Sequence, residues 1–380
     1  MTMATKQEIL KEKLADYLAA DKAGKGRILE QIISVTKMNR KAVIRRLNEL
    51  QVRRGPIVDG RGRPEVYGMR VTVALNDIWQ TLNEICAERL HEQVAETVSV
   101  LRRDSLWNHD DSTTALLLGM SLGTMKNRIK DFAKAKGSGG KATTKPSDLK
   151  EIIPIRRGPW ENPDPGFGEV DTVAHCGSSL SGDFIFSVQY TDVATIWTCL
   201  SAQWNKGQIA TKESIKRIQQ RLPFALKGID PDSGSEFINW FLKEWCDQEQ
   251  IQMTRIRPYY KNDHARIEQK NYANIRDFVG YTRIESRRKV KLMNQLYNLL
   301  EDYINFFLPS MKCIKKERQG SRYKRIYDKA QTAYRRALAH PNIPQAVKGQ
   351  LMAKYATLNP KVLKEQIDRL RKQILAGTHY

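Results

Sequence analysis

Three acidic residues, Asp171, Asp232 and Glu268, carry the side chains that metal-assisted phosphodiester chemistry requires. Asp171 lies in an alternating run that predicts a buried strand, and Asp232 begins the turn sequence Asp-Ser-Gly-Ser-Glu-Phe. Glu268 lies in a stretch predicted to be helical, with 35 residues between it and Asp232. In-line displacement at a phosphodiester builds charge on the attacking and leaving oxygens, which two cations about 3.5–4 Å apart can stabilise. Magnesium takes oxygen ligands and keeps several waters, so three carboxylates suffice to hold such a pair.

Two nearby carboxylates, Asp230 and Glu236, compete with Asp232 for the middle position of this set. Asp230 precedes the Asp-Ser-Gly turn, and Glu236 is expected to point along the helix that follows, so Asp232 is the preferred candidate. Acidic residues are also common on protein surfaces, and three ordinary solvated acids are the alternative interpretation.

Short phrases around the acids add to the catalytic interpretation. They are Asp-Thr-Val-Ala-His-Cys-Gly at 171–177, Lys-Asn-Asp followed by Glu-Gln-Lys-Asn within 261–271, and Pro-Ser-Met-Lys at 309–312. With them, the chain resembles the retroviral-integrase and transposase superfamily over residues 155–310, and one group of insertion-sequence transposases over a longer stretch. Ser233 is a departure, because that group commonly has Asn there. The sequence also has no counterpart of the zinc-binding His/Cys module of retroviral integrases.

The resemblance implies a DNA transposase or integrase with an RNase-H-like catalytic core. Asp171 and Asp232 would share one Mg²⁺ or Mn²⁺ ion, and Glu268 would hold a second. Water would first cut at the element end and free a 3′-OH, which would then attack target DNA. No GxxxxGK[ST] loop is present, so the energy would come from the phosphodiester itself. Two alternatives stay open: an RNase-H-type nuclease acting on RNA–DNA hybrids, and an inactive or domesticated helix-turn-helix DNA-binding regulator.

The elements that would position the acids follow from the pattern of apolar residues. Residues 167–174, 184–191 and 196–202 predict three consecutive strands, followed by a helix over 212–222 and a short strand ending at Asp230. A helix over 235–248, a strand over 251–256 and the helix with Glu268 complete the core. This order matches the mixed sheet, with helices on its faces, of the RNase-H-like fold that the resemblance implies.

The charge of the chain favours a polyanionic partner. Its 380 residues carry a formal net charge of +22, with a pI near 9.7, and neutralising phosphates releases counterions. No run of 18 apolar residues and no secretory signal is present, so no membrane association is expected. The five cysteines are scattered and form no CxxC pair, which predicts neither disulfides nor zinc. We therefore expect an intracellular protein, cytoplasmic or nucleoid-associated in a prokaryote.

Residues 1–70 are predicted to form a helix-turn-helix DNA-binding module. Apolar residues recur at helical intervals from 27 to 50, and the interruption at Thr36-Lys37-Met38-Asn39 predicts a turn with Asn39 as N-cap. The second helix would present a basic face suited to the major groove. A small helical bundle without DNA binding is the alternative. The basic residues on that face are Arg40, Lys41, Arg45 and Arg46.

Residues 71–135 repeat the pattern more weakly, as a second helical, helix-turn-helix-like module. A helix over 113–118 would be followed by a turn and by a helix capped by Ser121, with Lys126 and Arg128 on its polar side. Residues 59–64, basic and glycine-rich, predict a minor-groove contact or a solvated loop in equal measure. Residues 136–154, rich in Gly, Ser and Lys at their start, predict a flexible linker to the core at 155–310.

Polar residues near the acids are candidate contacts to DNA. His175 follows Asp171 by four residues and could order the site, although a hydrogen-bonded, structural histidine is the commoner case at a strand end. Around Glu268, the alternative to DNA contact is a solvated helix face. The candidates there are Lys261, Asn262, His264 and Lys270, of which His264 shares the helical face of the glutamate.

Residues 311–380 are predicted to form a basic helical tail. Residues 312–329 combine many cations with tyrosines, a composition suited to binding phosphates. The final helix is predicted to begin at Asn359-Pro360 and carries one apolar stripe. A homo-oligomer on DNA is expected, because joining two DNA ends requires at least two protomers. The candidate phosphate contacts are Lys315, Lys316, Lys324 and Arg325. In fold class, the chain is predicted to be multidomain, α plus α/β.

Overall fold

The computed structural model of the chain describes residues 1–52, 66–132, 164–232, 234–255, 270–319 and 322–377. They divide into two compact units, Met1–Glu65 and Val66–Tyr380, and each unit has its own hydrophobic cluster. The chain combines helices with a mixed sheet, so the prediction of an α plus α/β protein is confirmed at this level. Within the described ranges, every helix is too short or too polar to cross a membrane.

The first unit consists of helices α1 (Met3–Glu12), α2 (Leu14–Ala19), α3 (Lys22–Thr36) and α4 (Arg40–Val52). Their buried apolar residues meet in one small core, formed by Leu10, Leu29, Ile32, Val43 and Leu47. Lys37 ends α3 in the left-handed conformation, and the Asn39 side chain accepts a hydrogen bond from the Lys41 amide at 2.9 Å. The predicted turn and N-cap between α3 and α4 are therefore observed.

The second unit begins with helices α5 (Met69–Thr81), α6 (Ala87–Arg103), α7 (Asp111–Leu118) and α8 (Leu122–Phe132). Ser121 accepts a hydrogen bond from the Thr124 amide at 3.3 Å, which is the N-cap contact predicted for this helix. The buried faces of these helices share one hydrophobic cluster with the sheet that follows. The Tyr303 hydroxyl, for example, donates to the Thr81 carbonyl at 2.6 Å.

A five-stranded mixed sheet lies at the centre of the second unit. Its strands are β1 (Phe167–Ala174), β2 (Ile185–Asp192), β3 (Thr198–Trp204), β4 (Gly228–Pro231) and β5 (Gln252–Met253), in the spatial order β3-β2-β1-β4-β5. β1, β2 and β3 pair antiparallel, whereas β4 pairs parallel to β1 and to β5. β1 is therefore flanked by strands on both sides.

Helices pack against this sheet from several directions. They are α9 (Gln208–Arg221), α10 (Trp240–Gln248), a π-helical turn (Tyr272–Arg276) that continues into α11 (Asp277–Val279), and α12 (Lys289–Phe307). The predicted helix over 235–248 begins later, at Trp240, because the Asn239 side chain caps it by accepting from the Leu242 amide at 3.0 Å. Of the predicted strand over 251–256, Gln252–Met253 forms β5, and the Thr254 amide donates to the Ile229 carbonyl of β4 at 3.0 Å.

The outer edge of β3 is closed by side chains instead of by another strand. Asn305 and Asn294, from α12, accept from the amides of Thr198 and Ala202 at 2.8 and 2.9 Å and donate back to the carbonyls of the same residues. Between them, Glu301 accepts from the Leu200 amide at 2.6 Å, and Arg221 of α9 donates to the Leu200 carbonyl at 2.5 Å. Three successive outward-facing residues of the edge strand thus have their backbone groups satisfied.

The C-terminal part corrects the prediction of a basic helical tail over residues 311–380. It begins with an antiparallel hairpin, β6 (Cys313–Gln319) and β7 (Arg322–Tyr327), and only then forms α13 (Ala333–Ala339), α14 (Gln345–Thr357) and α15 (Pro360–Leu375). In a helix, the many cations of 312–329 would be like-charged neighbours at three- and four-residue spacing, which is destabilising. In the hairpin, Lys316 lies opposite Arg325, but the other pairs are favourable: Glu317 lies opposite Lys324, Arg318 opposite Tyr323 and Lys315 opposite Ile326. The predicted start of the last helix is observed, since Asn359 accepts from the Lys361 amide at 3.0 Å.

Candidate functional site

Asp171 lies in the central strand β1, where the pairing with β2 continues and the pairing with β4 has just ended at Val170. It is opposite Gln189 of β2, and its side chain is half-buried. One carboxylate oxygen accepts from the Thr172 amide at 2.7 Å, and the other accepts from the Asn271 side chain at 2.6 Å. Asn271 therefore fixes the orientation of the first acid, a contact that the sequence pattern did not single out.

Asp232 directly follows the last residue of β4. The parallel register pairs Val170 with Pro231, so Asp171 and Asp232 are the next residues on two adjacent strands. This register places the two acids at the same level of the sheet. Neighbouring strands lie about 4.8 Å apart, so the two acids are close to each other. Asp232 is half-buried, and it accepts from the Gly234 amide at 2.9 Å. This contact forms the turn that the Asp-Ser-Gly sequence predicts.

The two competing carboxylates are far less accessible. Asp230, inside β4, is fully buried, and its side chain accepts from the Thr254 hydroxyl at 2.6 Å. Glu236 is also buried and lies within 2.8 Å of the Lys206 ammonium group. Of the three middle-position candidates, Asp232 is half-buried, whereas the other two are buried. A partly exposed acid is better suited than a buried one to a metal that retains waters.

The third predicted acid, Glu268, lies outside the described residues, as do Lys261, Asn262 and His264. In the described part of the chain, no three acidic, histidine or cysteine side chains are close enough to form a metal site. Lys270 is described and half-buried. Its burial, together with the nearby cations Arg89 and Arg336, lowers the pKa of its ammonium group to about 8.

His175 is fully buried at the end of β1, so it does not face a substrate. Its Nε2 is 2.7 Å from the Ser187 hydroxyl, which in turn is hydrogen-bonded to the Tyr297 hydroxyl. Burial lowers the pKa of the imidazole to about 3, and the Arg276 cation contributes to this shift. Arg276 also donates to the Ala174 carbonyl at 2.7 Å. These contacts indicate that His175 has a structural role and that its imidazole is neutral.

The predicted basic face of the first unit is open to solvent. Arg40, Lys41 and Arg45 are exposed on α4, and Arg46 is half-buried. These side chains therefore occupy the surface that the sequence assigns to DNA.

The cations of α8, in contrast, make contacts within their own unit. Lys126 pairs with Glu88 at 2.8 Å, and this contact lowers the pKa of the glutamate. Arg128 donates to the Thr72 hydroxyl and, at 2.5 Å, to the Tyr67 carbonyl. Arg128 thus fastens the start of α5 to α8.

The basic hairpin presents Lys315, Lys324 and Arg325 as exposed residues, whereas the side chain of Lys316 lies outside the described set. Lys315 also pairs with Glu317 at 2.8 Å. The base of the hairpin is fixed by Asp328, which accepts from the Lys312 amide at 2.6 Å and from the buried Arg336. Arg336 donates as well to the Ser310 carbonyl at 2.8 Å. The exposed cations therefore lie on a β-hairpin whose base is held by hydrogen bonds.

A comparison with curated proteins places the chain in a family. Over 352 residues it is 31% identical to a Sinorhizobium fredii protein with the description "Uncharacterized protein y4rM", and the match covers 92% of this chain and 96% of the relative. The chain belongs to the y4rM family. No protein-family model matches it. Because the second unit begins at Val66, a match over 92% of the chain includes residues of both units.

Proposed function

We propose that the chain is a DNA transposase or integrase with an RNase-H-like core, acting through Asp171, Asp232 and Glu268. The observation that carries this proposal is the pairing of β1 with β4. Asp171 and Asp232 directly follow the last residues that pair β1 with the parallel strand β4. Both acids are half-buried, whereas Asp230 and Glu236 are buried. Two carboxylates at one level of a rigid sheet form a suitable anchor for a divalent cation.

The strand order supports the fold that this function implies. Three antiparallel strands, β1 to β3, are followed by two parallel strands, β4 and β5, on the other side of β1. This mixed arrangement, with helices packed against it, agrees with the RNase-H-like resemblance. The proposal also assigns the α3–α4 pair of the first unit to a helix-turn-helix and the α7–α8 pair to a related module.

Mg²⁺ or Mn²⁺ ions bound by the three acids would stabilise the charge on the attacking and leaving oxygens and activate water. The chain itself supplies their orientation. The Thr172 amide and Asn271 orient the two oxygens of Asp171, and the Gly234 amide orients one oxygen of Asp232. Glu268 precedes Asn271 by three residues, and a chain of that length spans at most about 11 Å.

DNA binding, in this proposal, is divided between separate surfaces. Arg40, Lys41, Arg45 and Arg46 would enter the major groove of the element end, and the basic hairpin would contact phosphates without reading sequence. The net charge of +22 supports a nucleic-acid partner. Because two ends must be joined, the active form would be a homo-oligomer on DNA, in the intracellular compartment of a prokaryote.

The decisive experiment uses the full chain with labelled linear DNA that carries the sequences flanking its gene. With Mg²⁺, the wild type should nick the DNA and join the new 3′-OH to a target plasmid. Asp232→Asn should abolish both steps and leave DNA binding nearly intact. Asp247→Asn, which changes an exposed acid of α10, is the matched control and should retain activity. Normal strand transfer by Asp232→Asn would refute the assignment, and binding without cleavage by the wild type would favour the regulator.

A further inference from the structure

Glu236 is a buried carboxylate that the proposed reaction does not use. Its side chain is 1% exposed, four residues after Asp232 and just before α10. The Oε1 atom accepts from the Thr172 hydroxyl at 3.1 Å and lies 2.8 Å from the Lys206 ammonium group. Within the described residues, Oε2 has no hydrogen-bond partner. A carboxylate held at such a desolvation cost calls for a physical reason.

The contacts of Glu236 connect the neighbours of both metal-binding candidates. Thr172, its donor, also binds Asp171 through its backbone amide at 2.7 Å. Gly234, whose amide binds Asp232, packs directly against the Glu236 carboxylate, because a Cβ there would lie 2.4 Å from Oε2. Glu236 therefore joins the strand β1 to the turn after β4.

Lys206 brings a third segment to the same point. It lies between the end of β3 at Trp204 and the start of α9 at Gln208, and its side chain is 36% exposed. Removing only the cation beside a buried carboxylate strongly destabilises the folded protein, because the remaining charge is buried without a partner. Replacing both charged residues together often leaves the stability of the fold unchanged. This difference allows a stabilising role to be separated from a positioning role.

We propose that Glu236 is a positioning residue that, through Thr172, Gly234 and Lys206, holds the carboxylates of Asp171 and Asp232 at the separation that a bound divalent cation needs. The inference rests on the proposed function. Glu236 itself does not bind the cation, since it is enclosed by groups of its own chain. Its effect is transmitted through two backbone amides, one beside each acid.

The first measurement is Mn²⁺ binding to the full chain, followed by electron paramagnetic resonance, which does not depend on DNA cleavage. Glu236→Gln should weaken Mn²⁺ binding about 10-fold or more, the usual effect of losing a residue that orients metal ligands. The cleavage rate at saturating DNA should fall about 100-fold, as expected for a misplacement near 1 Å, with little change in DNA affinity. Thr172→Val, which removes only the hydroxyl contact, should produce a smaller loss of the same kind.

The double variant Lys206→Met with Glu236→Gln separates the two roles. It should recover most of the melting temperature lost in Lys206→Met, while Mn²⁺ binding and cleavage stay impaired. If both activities recover together with stability, Glu236 only stabilises the fold and the inference is wrong. The same holds if Glu236→Gln binds Mn²⁺ as the wild type does.

Two reference proteins make the outcome specific. Asp247→Asn, which removes an ion pair with Lys243 on the surface of α10, should match the wild type in every measurement. Asp232→Asn should lose Mn²⁺ binding altogether. If the wild type and Asp232→Asn bind Mn²⁺ equally and neither cuts DNA, the proposed function itself fails. If only the Glu236 variants behave as the wild type, the function stands and the positioning role is rejected.

Discussion

Replacing His175 with glutamine should make the second unit less sensitive to acid. The imidazole is fully buried, and burial beside Arg276 lowers its pKa to about 3, whereas an unfolded histidine titrates near 6.5. Between these pH values the unfolded state binds a proton that the folded state excludes, so stability falls as the pH falls. Glutamine has a similar reach toward Ser187 but cannot be protonated in this range.

The size of the effect follows from the two pKa values. Each pH unit between them is worth about 1.36 kcal/mol, so the histidine should cost the wild type about 2.7 kcal/mol between pH 7.5 and pH 4.5 relative to the variant. Urea unfolding of both proteins at half-unit pH steps measures this difference, and any constant penalty of the substitution cancels. Parallel stability curves for the two proteins over this range would show that His175 is protonated in the folded state, contrary to its burial.

Three further results are expected from other buried or charged groups. Asp192 is buried and accepts from Gly166 and Thr195, and burial raises its pKa to about 6. Because the folded state holds the proton more tightly, the wild type should lose about 2.5 kcal/mol relative to Asp192→Asn as the pH rises from 3.8 to 7, again by urea unfolding. Arg336→Ala leaves Asp328 without its buried partner, so stability should fall by about 3 kcal/mol, and hydrogen exchange should accelerate throughout the hairpin. Replacing Lys315, Lys316, Lys324 and Arg325 with alanine should weaken DNA binding for all sequences and reduce the salt slope by up to about 0.9 per lost contact. A fixed slope with lost discrimination would mean that the hairpin reads bases.

Helix N-caps and turns, which depend on residues close together in sequence, were the most predictable features of this chain. Asn39, Ser121 and Asn359 were expected as N-caps from their positions before apolar runs, and each accepts the expected backbone hydrogen bond. Capping needs only residues two or three positions apart, so a sequence pattern contains all the required information. The same is true of the turn that Asp232 forms with Gly234.

Contacts between distant segments could not be predicted in the same way. Nothing in the sequence links Lys206 to Glu236, or Asn271 to Asp171, because these pairs depend on strand register and on how helices pack. The hairpin at 313–327 was missed for a different reason. Its many cations indicated a phosphate-binding segment but carried no signal for a strand. The pairing of Lys316 with Arg325 and of Glu317 with Lys324 depends on the register of the two strands, which the composition does not contain.

The closed edge of β3 has a consequence for the order in which the chain is made. Asn294, Glu301 and Asn305 follow the backbone groups that they cover by 92, 101 and 107 residues. At a synthesis rate of about 5–20 residues per second, β3 leaves the ribosome several seconds before α12 exists. During that interval its unpaired edge can template pairing with any other extended chain. A nascent polypeptide that stops short of α12 would retain this adhesive edge permanently, so truncated products should aggregate while the full chain stays dispersed.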